Sequence, residues 1–403
     1  MSSSIATTWR QLSGQDHWNN MLDPLDIDLR RYILHYGDLS EVTYDTFNNE
    51  KTSKFCGSSR YGKADLFKKV GLVKNHPLVK YTVTKYFYAT STLPVPDAFL
   101  MKSFSREAWC KESNWIGYVA VATDEGVKVL GRREILVVWR GTIGTLEWIN
   151  DLEFGLVSAD KLLGTSGNPM VHKGWLSIYM SDDRKSPYNK ASARDQVLPE
   201  VQRLVEKFQN EETSISVCGH SMGASLATLN AADIVASGIT KPKVGCATPI
   251  LVTAFVFACP RIGDPNFKHV CSNMKDLRVL RIFNALDVVP NYPFIGYSDI
   301  GEGLRIDTTQ SPFLKSPGSI TSWHKLEAYL HGIAGTQGSK GGFKLEVDRD
   351  ISLANKTYDV LKNEYLVPAQ WWCEKNRGMV QQENGSWKLN DHEENMDQSY
   401  LNN

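Results

Sequence analysis

Residues 213–236 commit the chain to a sharp turn from a buried strand into a helix, with a serine at its apex. Thr213-Ser214-Ile215-Ser216-Val217-Cys218 alternates and is apolar enough for a buried strand. Ala224-Ser225-Leu226-Ala227-Thr228-Leu229-Asn230-Ala231-Ala232 is good helix sequence with small residues on its first turn. Between them stands Gly219-His220-Ser221-Met222-Gly223, a Gly-x-Ser-x-Gly. A serine held on such a turn exposes its hydroxyl, and its neighbours must be small, which the two glycines satisfy. The pentapeptide alone is a weak signal, because glycine and serine are common. The strand before it and the helix after it supply the context that makes Ser221 a candidate nucleophile.

The same alternation continues on both sides. Residues 115–125 and 133–140 read as strands, 156–170 as a polar loop and 197–209 as a helix. The turn strand 213–218 and the helix 222–236 come next, and two further strands follow at 253–258 and 277–283. Strand and helix in turn across 115–290 predict an α/β fold, a mostly parallel central sheet flanked by helices. The first 110 residues are rich in Trp and Tyr, with helical patterns near 25–37 and 76–87. Residues 308–322 read as a loop, and 323–335 as a helix. The whole chain, 1–403, reads as one unit. It comprises an N-terminal helical extension (1–114), a catalytic core (115–335), a C-terminal extension packed on the core (336–390) and an acidic, polar tail (391–403) expected to be disordered.

Forty-five basic and forty-five acidic residues cancel, which leaves no basic field for nucleic acid. The seven cysteines (56, 110, 218, 246, 259, 271 and 373) lack paired spacing, and several sit inside apolar runs. They read as buried thiols of a reducing compartment, not as a disulfide framework. No Cys/His cluster has metal spacing, and no cofactor is expected. The first residues lack an apolar signal region and meet acidic side chains by Asp16, and no run approaches eighteen apolar residues. A cytoplasmic location is the expectation. The sequence carries no signal for an oligomeric state.

A serine hydroxyl needs a base to take its proton and an acid to orient that base. On a strand-turn-helix scaffold of this kind the chain order is Ser, Asp, His. Of nine histidines only His269, His324, His331 and His392 follow Ser221. His269 precedes most candidate acids, and His392 lies in the tail. His324 stands where the 308–322 loop meets a helix, whereas His331 lies two helical turns further on, so His324 is the preferred base. Asp287 follows a strand and precedes Val288-Val289-Pro290, as an acid over the top of the sheet should. Asp264, within Gly263-Asp264-Pro265, also follows a strand but carries a turn signature. His220, although beside Ser221, is expected to point away from it. The oxyanion donors expected are the N–H of Met222, next after the serine, and Thr142 in the loop Arg140-Gly141-Thr142. The short apolar segment that follows reads either as an ordinary surface helix turn or as a lid over the serine, with Ile143, Leu146 and Trp148 as the lid candidates that would meet lipid.

Val138-Trp139-Arg140-Gly141-Thr142, Trp148 and Asp151, then Val171-His172-Lys173-Gly174-Trp175, then Gly219 to Ala224, then Asn284 to Pro290, resemble the class 3 lipase family over about 115–335. Trp18 to Asp26, Tyr36-Gly37, His324 to His331 and Tyr365 to Trp372 extend the match to nearly the whole chain. With them it resembles the plant class II phospholipase A1 enzymes. The resemblance implies an α/β-hydrolase fold with a short lid and the triad Ser221, Asp287 and His324. It also implies release of the sn-1 fatty acid from phosphatidylcholine and related glycerophospholipids, met transiently at a membrane or lipid interface. A triacylglycerol or galactolipid lipase would use the same triad, and a catalytically silent lipase-like binding or signalling protein would keep the fold alone. The transit peptide of chloroplast members has no counterpart in the N-terminal residues, which favours the cytosolic branch.

Overall fold

The computed structural model describes residues 2–105, 113–144, 155–241, 249–372, 379–381 and 387–389. Among the described residues there are eleven strands: β1 (Tyr81–Ala89), β2 (Asn114–Ala122), β3 (Arg133–Trp139), β4 (Leu156–Ser158), β5 (Met170–His172), β6 (Thr213–His220), β7 (Val252–Phe257), β8 (Leu277–Asn284), β9 (Glu302–Ile306), and a separate pair, β10 (Met379–Gln381) and β11 (Trp387–Leu389). Seven form one sheet in the order β1-β2-β3-β6-β7-β8-β9. The pairs from β3 to β9 are parallel, and β1 and β2 add an antiparallel edge. β4 and β5 pair separately. This is the mostly parallel, helix-flanked sheet of an α/β hydrolase.

Period-two alternation sorts the strand side chains onto two cores. Ile135, Val137 and Trp139 of β3, Ile215 and Val217 of β6, and Val252, Ala254 and Val256 of β7 face one core. The helices Lys173–Met180, Ala193–Lys207 and Met222–Ala236 cover that face. Leu136, Val138, Cys218, Phe255 and Phe257 face the other core. Helix Ile27–Thr46 and helix Leu326–Gly335 close this second face. Asp26 caps the first of these by accepting from the N–H groups of Asp28 and Leu29. Tyr36 on that helix stacks on Phe255 of β7, with ring centroids 4.2 Å apart. Its hydroxyl donates to the buried Glu134 at 2.6 Å. The N-terminal segment is therefore half of the central core.

The C-terminal segment fastens the same two helices. Arg349 donates to Asp38 of helix Ile27–Thr46 and to Glu327 of helix Leu326–Gly335, both at 2.6 Å. Lys356 pairs with Asp45 at 2.5 Å, and its ammonium lies over the Trp372 ring.

Four element assignments differ from the sequence reading. Residues 76–87 hold a strand, β1, in place of a helix, so the N-terminal extension is not wholly helical. The loop 156–170 contains β4 and a helical turn at Asp160–Leu163. The loop 308–322 already holds a helical turn, Thr308–Gln310, and the start of a helix at Ile320. The helix 323–335 is two helices, Ile320–His324 and Leu326–Gly335, broken where Lys325 turns extended (φ −68°, ψ 134°). The tail 391–403 lies outside the described residues.

Candidate active site

β6 runs straight into Ser221 and out into helix Met222–Ala236. Ser221 has φ 58° and ψ −128°, a strained left-handed turn for a residue with a side chain. The two glycines are steric requirements. A Cβ on Gly219 would stand 2.4 Å from the Gly223 carbonyl oxygen, and one on Gly223 2.4 Å from that of Trp139. The serine is pinned by its own N–H, which donates to the Phe257 carbonyl at 2.9 Å.

Three chain-distant side chains converge there. Ser221 Oγ lies 2.9 Å from Nε2 of His324. Nδ1 of the same ring lies 2.7 Å from Oδ2 of Asp287. With Nδ1–H donated to the carboxylate, Nε2 carries the lone pair that faces the serine hydroxyl. The Asp287 carboxylate is buried and fully engaged. Oδ2 also accepts from the Tyr329 hydroxyl at 2.6 Å, and Oδ1 accepts from the Val289 N–H at 3.0 Å. Burial first, and then the neighbouring Asp287 charge, hold the Tyr329 hydroxyl well above its ordinary pKa, so it stays a donor.

Asn284, at the end of β8, sets the frame for the base. Its amide donates to Thr308 Oγ1 at 2.8 Å and to the Trp323 carbonyl at 3.0 Å, and its own N–H donates to the Tyr329 hydroxyl at 3.1 Å. The chain break at Lys325 then turns His324 toward Ser221 while Tyr329, five residues on, reaches Asp287.

The competing residues lie elsewhere in the structure. Asp264 caps helix Pro265–Ser272 through the Phe267 N–H at 2.8 Å and ties down Met170 of β5. His331 faces Ser311 Oγ at 2.7 Å and stacks on Phe343. His269 bonds Asn273 on a surface helix. His392 is outside the described residues.

Met222 is the first residue of a fifteen-residue helix, where N–H groups have no partner one turn back and the helix dipole favours negative charge. Thr142 is part-exposed in the loop that follows β3. That loop is braced from behind. Buried Arg140 donates to the carbonyls of Trp115, Gly141 and Phe99, and the Ile143 N–H donates to Ala98 at 2.8 Å. Burial pushes the Arg140 guanidinium down to about 9. Of the lid candidates, Ile143 packs part-buried against the second core, and Leu146 and Trp148 lie outside the described residues. Among the described residues no His, Cys, Asp and Glu group has the arrangement of a metal site, and no helix is long and apolar enough to cross a membrane.

Residues 136–297 match the family Lipase (class 3). Phospholipase A1-IIgamma of Arabidopsis thaliana is 54% identical over 396 residues, which span 98% of this chain and 94% of the relative. The chain belongs to the phospholipase A1-II family. Two rice relatives (Oryza sativa subsp. indica) agree. Phospholipase A1-II 7 is 55% identical, covering 98% of both chains, and phospholipase A1-II 1 is 52% identical, covering 97% of this chain and 98% of the relative.

The lipase match contains Ser221 and Asp287 but stops short of His324 and Tyr329. In this phospholipase A1-II chain the site is completed by segments beyond the shared lipase region. Tyr329 lies within the His324 to His331 stretch, but nothing in the sequence sets it apart as a partner of Asp287. His220, beside the nucleophile, bonds the backbone of His324 and the hydroxyl of Tyr44. Nothing local in the sequence brings Tyr44, 176 positions away, to that ring.

Proposed function

We propose that the chain hydrolyses the sn-1 acyl ester of phosphatidylcholine and related glycerophospholipids, with Ser221 as nucleophile, His324 as base and acid, and Asp287 as the orienting carboxylate. The observation that carries the reading is the unbroken run from Ser221 Oγ to His324 Nε2 at 2.9 Å and from Nδ1 to Asp287 at 2.7 Å. The substrate class follows from family membership at about half identity over nearly the full chain. Ser221 Oγ attacks the ester carbonyl as its proton passes to His324 Nε2. The imidazolium is stabilised by Asp287, whose charge Tyr329 and the Val289 N–H hold in place. The N–H groups of Met222 and Thr142 face the oxyanion; one such donor is typically worth about 10²–10³ in rate. The tetrahedral adduct collapses, the ester C–O bond breaks, and the lysophospholipid alkoxide leaves with the proton from His324. Water then gives its proton to His324 and attacks the acyl-serine, which releases the fatty acid and restores Ser221.

We place this chemistry at a membrane or lipid surface, met transiently, with Ile143, Leu146 and Trp148 as the lid. A cytoplasmic setting is supported by Cys218, Cys259 and Cys271, which are buried free thiols. The decisive test is mass spectrometry of products from a phosphatidylcholine with different chains at sn-1 and sn-2. Release of the sn-1 chain with a 2-acyl lysophospholipid is expected. Release of the sn-2 chain would overturn the regiospecificity and keep the hydrolase. Faster turnover of triacylglycerol or galactolipid would move the substrate class.

A further inference from the structure

We propose that Tyr44 and His220 form a positioning relay that fixes the His324 backbone against both Ser221 and the loop carrying Thr142. The proposal rests on the reading of Ser221, Asp287 and His324 as the reacting set.

The relay starts from the chain break. A continuous helix would bind the His324 carbonyl to an N–H four residues on. Lys325 is extended instead, and the next helix begins with the Tyr329 N–H donating to the Lys325 carbonyl at 3.1 Å. The His324 carbonyl therefore leaves the helical ladder, and it lies 2.8 Å from Nε2 of His220. A carbonyl only accepts, so Nε2 of His220 carries the proton. Burial first, and then the adjacent His324, hold the His220 pKa well below its ordinary value, so the ring is neutral and its Nδ1 is an acceptor. The Tyr44 hydroxyl, 2.7 Å from Nδ1, is the donor that selects this tautomer. One chain of bonds thus runs from helix Ile27–Thr46 through the residue beside the nucleophile to the backbone of the base.

The same hydroxyl touches the loop after β3. A Cβ on Gly141 would stand 2.1 Å from Tyr44 Oη and 2.4 Å from the His220 carbonyl oxygen. Tyr44 therefore sets the height of the loop that presents Thr142, while His220, whose ring centroid is 4.8 Å from that of His324, sets the base. A misplacement of either would be felt in the chemical step more than in substrate binding.

Tyr44→Phe keeps the ring and removes the donor. Nδ1 then loses its partner, and the imidazole can move its proton there, which turns a lone pair toward the His324 carbonyl. The expected result is a fall of about tenfold in kcat with KM little changed and the folded state retained, the worth of one hydrogen bond expressed in rate. His220→Gln offers an N–H that needs no tautomer lock. In that background Tyr44→Phe should add little, so the two losses combine well short of a product. A kcat within twofold of the wild type for Tyr44→Phe, a change confined to KM, or losses that multiply independently would each overturn the relay. Should Tyr44→Phe not fold, His220→Gln is compared with the donor-less His220→Met, and equal kcat values would overturn it. Labelling of Ser221 by a fluorophosphonate provides a second rate that needs no lipid. If the wild type labels but does not cleave phosphatidylcholine, the substrate reading fails, and the relay is judged on labelling rates alone.

Discussion

Tyr329 donates its hydroxyl to Oδ2 of Asp287 at 2.6 Å, the same oxygen that His324 Nδ1 approaches at 2.7 Å. The tyrosine stands on a buried helix and accepts the Asn284 N–H in turn, so it has one orientation. Tyr329→Phe removes a donor from a buried carboxylate and leaves the His324 and Val289 contacts. The Asn284 N–H also loses its acceptor, so the expected outcome is a loss of about tenfold in kcat together with a destabilisation of about 1–3 kcal/mol. Steady-state kinetics on phosphatidylcholine checks it, and an unchanged kcat would mean that Asp287 is held by its other partners alone.

The two elbow glycines make a separate prediction. Gly223→Ala would drive a methyl into the Trp139 carbonyl, at the end of the strand that leads to Thr142. The neighbour is backbone and cannot rotate aside. A destabilisation of about 1–3 kcal/mol is expected, together with activity lost more deeply than stability, because the Thr142 loop must shift. Denaturant unfolding and kcat, measured on the same preparation, separate the two effects.

How much of this site was legible in the sequence follows from how local its causes are. The elbow was readable because strand, glycines and helix lie within 24 consecutive residues, 213–236. Asp287 was legible from the end of β8, whereas His324, read at the start of a helix, stands at the end of one, Ile320–His324. β1 was not legible, because its alternation is interrupted by irregularities between Val83 and Lys85 and between Phe87 and Tyr88, which destroy the period of two. Tyr329 was hidden because the pattern gave one helix over 323–335, and only the break at Lys325 brings it onto Asp287. Tyr44 and His220 meet through the packing of an N-terminal helix on the sheet, and no local pattern encodes a contact of that range.

Arg349 bridges Asp38 and Glu327, and all three side chains are buried. Arg349→Ala would leave two buried carboxylates facing each other across the helices that carry Tyr44 and Tyr329. Breaking a buried pair in this way costs about 3–5 kcal/mol. Calorimetry should show a large fall in Tm, and a change within one or two degrees would contradict a clamp role for the C-terminal segment.

Acid should destabilise the fold through its buried histidines. Burial pushes His35, His172 and His331 down to about 4 each, against an unfolded value near 6.5. Above about pH 6.5 these rings are neutral in both states and cost nothing. Between about 6.5 and 4 the unfolded chain binds protons that the native chain refuses, so stability falls as pH falls. Tm measured from pH 7.5 to 4.5 should drop, and His331→Asn should flatten that dependence. A Tm independent of pH across this window would contradict the buried, neutral assignment.

The role of Ser221 as nucleophile is tested most directly by the Ser221→Ala variant assayed on phosphatidylcholine beside the wild type, with folding checked by circular dichroism. The hydroxyl contributes no described bond other than that to His324, so the fold should be retained. The variant's kcat should fall by about 10⁴-fold or more, and fluorophosphonate labelling should disappear with it. A folded Ser221→Ala protein that still cleaves the ester at close to the wild-type rate would contradict that role.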